Sequence, residues 1–164
     1  MAQFRGQEIR PTSDRVKESV FQILSAKIVG ARVLDLFCGS GALGLECLSR
    51  GAKEVVFNDC SPESLAVLKK NLTALGEQGV CYKLGYAECL KSVAGKFDLI
   101  LVDPPYKLDC AAEILALVKA RELLKEGGLV VYESEREEEA AEGFCRVDLR
   151  RYGRTKVAFF GREV

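Results

Sequence analysis

The chain contains no histidine. That absence removes every His-dependent catalytic triad and every mixed Cys/His zinc site. Seven cysteines occur, at 38, 47, 60, 81, 89, 110 and 145, but the set is odd and irregularly spaced and holds no Cys-x-x-Cys pair. It fits neither a disulfide framework nor a metal ribbon, so no metal is expected, and most of these cysteines read as small core hydrophobes in a reducing compartment. No run approaches the roughly 20 uncharged apolar residues that span a bilayer. Met1-Ala2-Gln3-Phe4-Arg5 lacks the apolar stretch of a signal peptide, and the chain reads as cytoplasmic with no membrane partner. Linkers, internal repeats and low-complexity segments are also missing. With 164 residues, 48% apolar and 29% charged, the expectation is one soluble domain over 1–164, made of an N-terminal segment and helix (1–27) and a core (28–164). Carboxylates, lysine, tyrosine, backbone groups and a bound cofactor remain as the catalytic repertoire.

Net charge is zero, yet the charges are segregated. From Glu133 to Glu142 six glutamates face one arginine, whereas Arg146, Arg150, Arg151, Arg154, Lys156 and Arg162 face only Asp148 in the segment that follows. Arg5, Arg10, Arg15 and Lys17 form a further basic cluster. Such clusters suit either a local phosphate-binding patch or ordinary solvated faces.

Short β-branched runs alternate with helical stretches, the pattern of a parallel sheet covered on both faces. Strands are expected over Arg32–Phe37, Glu54–Asn58, Cys81–Leu84, Phe97–Val102 and Leu129–Glu133. Helices are expected over Asp14–Ala26, with Thr12 or Ser13 as cap and Val16, Val20, Ile23 and Leu24 as apolar stripe, and over Ala42–Arg50. Ser61-Pro62-Glu63 starts another, running to about Leu75 with Leu65, Leu68, Leu72 and Leu75 on one stripe, and Cys110–Leu124 a last one, stopped by Gly127-Gly128. Arg146–Tyr152 and Thr155–Phe160, joined by Gly153-Arg154, read as a closing antiparallel hairpin.

Behind the first strand, Asp35-Leu36-Phe37-Cys38-Gly39-Ser40-Gly41-Ala42-Leu43-Gly44 contains a literal G-x-G-x-x-G, and Asp59 lies 20 residues past Gly39. That spacing satisfies a dinucleotide fingerprint, but charge separates the candidates. Asp35 would repel a pyrophosphate and attract an ammonium, which favours the cationic cofactor S-adenosylmethionine over NAD. Asp59 would accept from the ribose hydroxyls, and Ala87 and Glu88 would meet the adenine. The cofactor residues read from this region are Asp35, Phe37, Gly39, Ser40, Gly41, Asn58, Asp59, Ala87 and Glu88.

Asp103-Pro104-Pro105-Tyr106 follows the fourth strand. Prolines donate no hydrogen bond and fix φ, so this turn is stiff and keeps carbonyl acceptors. The Asp103 carboxylate and the Pro104 carbonyl suit one exocyclic NH₂, and the Tyr106 ring suits stacking on a heterocycle. Chemistry on the amino group of a nucleobase or an amide is implied. Tyr132 and Glu133 stand open between an edge position and a substrate-side role.

Three stretches together resemble the bacterial 16S rRNA guanine-N2 methyltransferase family, RsmD-like: Arg10-Pro11-Thr12-Ser13-Asp14-Arg15-Val16-Lys17-Glu18-Ser19-Val20-Phe21, then Leu34 to Glu46, then Asp103 to Tyr106. The first and third are fairly specific; the glycine loop alone fits many methyltransferases. The likeness continues through Tyr132-Glu133-Ser134 and Tyr152-Gly153-Arg154-Thr155. It implies an α/β Rossmann-like class I methyltransferase fold, a mostly parallel seven-stranded sheet ending in an antiparallel hairpin. It also implies S-adenosylmethionine as cofactor, with Thr12 and Arg15 closing over its methionyl end. Asp103, Pro104, Pro105 and Tyr106 would be catalytic, with Arg10, Tyr106, Glu133 and Arg154 on the substrate side. The expected partner is 16S rRNA or a small ribosomal subunit particle, taken up by a monomer; nine residues precede Arg10, a shorter basic lead than the family carries, which favours a preformed RNA–protein surface. DNA adenine N6 and a protein glutamine present the same planar NH₂ and stand as alternatives, as does a non-catalytic or NAD-type domain.

Overall fold

A computed structural model of the chain describes residues 14–163. Seven strands make one sheet: β1 (Arg32–Asp35), β2 (Glu54–Asn58), β3 (Val80–Tyr82), β4 (Phe97–Val102), β5 (Leu124–Ser134), β6 (Phe144–Tyr152) and β7 (Thr155–Arg162), in the order β3-β2-β1-β4-β5-β7-β6. The first five are parallel; β7 is antiparallel to β5, and β6 to β7. The expected parallel sheet with a closing hairpin is the one the chain forms.

Side chains alternate across the strands, and both faces are covered. Val33, Val55, Phe57, Leu99 and Leu101 pack under α1 (Asp14–Ile28), α2 (Ala42–Ser49) and α3 (Pro62–Leu75). Leu34, Val56, Ile100 and Val102 pack under α4 (Tyr86–Ser92) and α5 (Ala111–Ala120). A strand buried on both sides has no polar face, which is why β4 is apolar from Leu99 to Val102, with its one charge, Asp98, at the half-buried start.

Helix ends obey local chemistry. In α3 the Ser61 hydroxyl accepts from the Ser64 N–H at 3.2 Å, Pro62 occupies the first turn, and Gly76 closes the helix with φ 65°. Leu65, Leu68 and Leu72 are buried as the stripe requires, but Leu75 is 57% exposed, next to Val80 at 45%, because this corner of the sheet is open. In α1, Phe21 and Ile28 join Val16 and Leu24 in the core.

Several bounds shift by one or two residues, as at Asp35, Tyr82 and Ile28, and larger differences occur around α5, β5 and α4. The helix begun near Cys110 stops at Ala120 and not at Leu124, because Arg121 closes it and Glu122 turns the chain at φ 51°. Gly127-Gly128 instead lie inside β5, where the pairing with β4 jumps from Phe97↔Leu124 to Leu99↔Leu129; the intervening bulge needs Gly127 at φ 79°. The short helix α4 was not anticipated, since seven residues are too few for a clear apolar period.

Gly44 fixes how closely α2 lies on the sheet. A Cβ there would stand 2.3 Å from Cε1 of Phe57, 2.9 Å from Cγ1 of Val55 and 3.0 Å from Oδ2 of Asp35. Gly44→Ala is therefore expected to lower unfolding stability by about 1–3 kcal/mol in urea titration, as overpacking does. Ser49→Ala, on the exposed end of the same helix, should stay within about 0.5 kcal/mol of the parent.

Candidate active site

Because β1, β2, β4 and β5 are parallel, their carboxyl ends share one edge of the sheet. Between β1 and β4 the strand order reverses, and that switch point is where open α/β sheets take ligands. The glycine loop leaves β1 there and the Asp103 turn leaves β4 beside it. The hairpin turn joins the same edge, since Lys156 pairs with Ser134 and Tyr152 with Thr155. Helix α1 starts there too: its end, Ile28, meets Ala31 just before β1, and Ser19 Oγ lies 2.7 Å from Tyr152 Oη. The expected site residues that the structure describes thus gather on one rim. Arg10 and Thr12, with the cap at Thr12 or Ser13, lie outside the described residues.

The glycine loop is held from three sides. Cys38 N–H donates to the Asn58 carbonyl at 2.8 Å, Gly39 N–H to Asp59 Oδ2 at 2.9 Å, and Asn71 Nδ2 to the Ser40 carbonyl at 3.1 Å. Gly39 and Gly41 have φ of 53° and 91°, accessible at little cost only to glycine. A Cβ on Gly39 would meet nothing within 4 Å, so the loop faces open space.

Asp59 Oδ1 also accepts from Ser61 N–H at 2.9 Å. Each of its oxygens keeps a second lone pair, and the residue is half-exposed, so it retains capacity for ligand hydroxyls. Asn58 differs from expectation. It is 1% exposed, its Nδ2 donates to the carbonyls of Leu36 and Leu84, and its Oδ1 accepts from Leu84 N–H. Both amide hydrogens are consumed and the side chain is buried, so it braces the loops from beneath and does not face the open side where a cofactor would lie. Asp35 also sits deeper than expected: it is 1% exposed, beneath the loop, and accepts the Gly44 N–H at 3.0 Å. Burial, reinforced by nearby Asp59, pushes its carboxyl up to about 7 against the pull of the Gly44 bond.

Half-buried Phe37 stacks with Tyr86, ring centroids 5.6 Å apart, and Tyr86 donates to Glu113. Ala87 and Glu88 follow in the first turn of α4, half-buried and exposed. These residues wall the loop on the β3 side.

In the second loop Asp103 and Tyr106 are half-buried, Pro104 is buried and Pro105 exposed. Leu108 N–H takes the Pro105 carbonyl at 2.9 Å, while no donor among the described residues reaches that of Pro104. Glu133 is 8% exposed, and Tyr132 is core: its hydroxyl lies 3.3 Å from the sulfur of Cys110. Arg15 and Arg154 are exposed on the rim. Cys38, Cys47, Cys89 and Cys110 are buried, and burial holds the thiols of Cys47 and Cys89 up at about 12, which removes them as nucleophiles.

The basic segment is partly neutralised. Arg151 donates two hydrogen bonds to the Glu137 carboxylate at 2.8 and 3.0 Å, Arg146 reaches Glu139 at 3.4 Å, and Arg150 reaches Asp148 at 3.0 Å. The two opposite charge runs fold onto each other, leaving Arg154, Lys156 and Arg162 without an ion pair among the described residues. Asn71 and Arg136, which brace the two loops, were not singled out from sequence; a lone amide on a helix and one arginine in an acidic run carry no local signal.

A doubly wound sheet of this strand order, with β7 antiparallel and a glycine loop behind β1, is a class I methyltransferase fold. The solved structure of "Putative methyltransferase yhhF from Escherichia coli" superposes with a TM-score of 0.87 at 30% identity, covering 100% of this chain and 96% of that one. The chain belongs to the RsmD-like family: the family model described as "Conserved hypothetical protein 95" matches residues 1–161. "Ribosomal RNA small subunit methyltransferase D" of Haemophilus influenzae is 37% identical over 134 residues, 79% of this chain and 69% of that protein. "Putative rRNA methyltransferase YlbH" of Bacillus subtilis is 36% identical over 166 residues, 96% of this chain and 90% of that protein.

The raised carboxyl of Asp35 has a thermodynamic signature. In the folded state it keeps a proton that the unfolded carboxyl, with its ordinary value of 3.8, has lost below about 7. The folded state then binds more protons, so stability falls as pH rises from about 4 to about 7 and is level above. The full shift is worth on the order of 4 kcal/mol. Urea unfolding of the parent and of Asp35→Asn at pH 5 and pH 8 is expected to show a smaller pH difference in the variant.

Proposed function

We propose that the protein transfers the methyl group of S-adenosylmethionine to the exocyclic N2 amine of a guanine in 16S rRNA, within the assembling small ribosomal subunit. What supports this reading above all is the meeting, at the switch point, of the Asp103-Pro104-Pro105-Tyr106 turn with the glycine loop. The names of the relatives supply the RNA.

The residues present fit the cofactor. The glycine loop faces open space at Gly39, no cation occurs from Asp35 to Gly44 to neutralise a pyrophosphate, and two carboxylates, Asp35 and Asp59, bracket the loop. Asp59 would hold the ribose, Ala87 and Glu88 the adenine, and Phe37, Gly39, Ser40 and Gly41 the body of the molecule. Arg15, with Thr12, would cover the methionyl end. When bound, the sulfonium supplies an electrophilic methyl group.

The chain's own task is alignment and proton handling. Proximity and orientation carry most of the effect, because the methyl donor is already activated. Guanine N2 is a weak nucleophile whose lone pair is delocalised into the ring. Acceptors at Asp103 and the Pro104 carbonyl would hold its two hydrogens and favour a pyramidal nitrogen, and Asp103 is placed in sequence to receive the proton that leaves. Tyr106 would stack on a base drawn out of its neighbours, with Arg10, Glu133 and Arg154 on the RNA side.

Labelled methyl transfer to 16S rRNA, naked and within small subunits from a strain lacking the enzyme, is expected to yield N2-methylguanosine at one position. Cofactor binding with no label in RNA would redirect the acceptor to DNA adenine or a protein glutamine. In the same assay Asp103→Ala should lose about 10²-fold or more in turnover with cofactor affinity nearly unchanged, as for removal of a proton-handling group. Tyr106→Ala should weaken RNA capture about tenfold or more while Tyr106→Phe stays near the parent, since stacking uses the ring; equal losses in the two would remove that role.

A further inference from the structure

The connection from Asp103 to Cys110 has no regular structure, and it carries the turn proposed to hold the acceptor amine. From Pro105 to Cys110 its own contacts among the described residues are few. The Leu108 N–H reaches back to the Pro105 carbonyl at 2.9 Å, and at its far end Cys110 lies against Tyr132. Fixed φ at the two prolines stiffens the turn internally but does not tie it to the rest of the fold, and alignment of an acceptor demands sub-ångström placement.

Support comes from outside, through Arg136, two residues beyond β5. Its main chain is fixed first: buried Ser134 donates its hydroxyl to the Arg136 carbonyl at 2.9 Å and accepts the Arg136 N–H at 3.1 Å. From that base the guanidinium spreads two ways. Nη2 donates to the Leu108 carbonyl at 3.2 Å and stands 3.5 Å from Asp109 Oδ1, while Nε donates to Glu138 Oε1 at 3.3 Å. The Glu138 side chain is only 10% exposed, so it anchors the fork in place. As isolated surface ion pairs these contacts would count for little. Their effect is geometric: one planar group ties a backbone carbonyl of the loop to the end of β5.

We propose that Arg136 is a positioning residue for the acceptor turn, acting through Leu108 and Pro105 to hold Pro104 and Tyr106 in register with the glycine loop. It touches no reacting atom. Its significance for methyl transfer rests on the function proposed above; its hold on the loop does not. An ammonium cannot replace it, since a single donor centre does not serve Nε and Nη2 partners on opposite sides. The neighbouring Glu137 provides an internal comparison, because it binds Arg151 of the hairpin and no part of the loop.

Two readouts on the full-length protein test the proposal, using Arg136→Ala, Arg136→Lys and Glu137→Gln. Without any RNA, amide hydrogen exchange over 106–110 is expected to quicken about tenfold in both Arg136 variants, Leu108 most of all, and to stay at the parent rate in Glu137→Gln. In methyl transfer, kcat/KM for RNA should fall about tenfold or more in both Arg136 variants, with cofactor Kd and Tm held near the parent. Unchanged exchange in Arg136→Ala would overturn the proposal, and so would full recovery in Arg136→Lys, which would reduce the residue to a charge. Should the alanine variant not fold, the lysine variant carries the same two readouts. Quickened exchange in a protein whose parent methylates no RNA would uphold the hold on the loop and overturn only the reading of the acceptor.

Discussion

Three strands of a twisted parallel sheet end side by side and then part, and each leaves behind backbone groups that the sheet can no longer pair. One buried amide closes that gap. Asn58 donates to the carbonyls of Leu36 and Leu84 and accepts the N–H of Leu84, so the loops after β1, β2 and β3 diverge from a common point. An unpaired buried backbone group would cost the desolvation that water no longer repays, and the amide, with two donors and an acceptor, matches this demand. Asp59, the next residue, can then bond Gly39 and Ser61 and define the open face of the glycine loop. The site is thereby preorganised by residues that need not touch a ligand.

The same economy governs the acceptor side. There the bracing comes from the end of β5 through Ser134 and Arg136, and from the buried contact of Cys110 with Tyr132. Both halves of the candidate site consist of loops shaped by residues of special backbone geometry, glycine in one and proline in the other, that distant polar side chains then tie down. Asn58, Asn71 and Arg136 hold the loops in place from outside them. The acidic run after β5 also braces, since Glu137 and Glu139 occupy hairpin arginines whose charge alone left a phosphate patch and a solvated face equally open. Arg154 and Lys156, at the turn itself, remain turned to the rim.

Much of this was legible from the chain. Glu54–Asn58 and Phe97–Val102 announce themselves because strands covered on both faces have continuous apolar centres, Val55–Phe57 and Leu99–Val102, and Pro62–Leu75 because a serine cap and a first-turn proline mark its start. The glycine loop and the Asp103 turn are visible because their residue types have few other uses. Helix α4 escaped notice for want of length, and the end of α5 was misjudged because glycines signal a break without saying whether a helix or a strand is broken. Asn58 was assigned to the cofactor and proves to be a brace; sequence position next to a site does not reveal whether an amide points out or in.

What the sequence by itself determined is the alternation of strands and helices, the two loops of special backbone geometry and the stock of groups able to do chemistry. Those follow from local properties: steric freedom at glycine, its loss at proline, and the period of apolar side chains. Only the tertiary structure decided that the two loops meet at one switch point, that Asp35 lies beneath its loop with a raised carboxyl, and that oppositely charged runs cancel. It also decided that Arg136 reaches the acceptor turn, 28 residues back along the chain at Leu108. Hydrogen bonds and desolvation depend on which groups are neighbours in space, and packing alone brings such distant residues together.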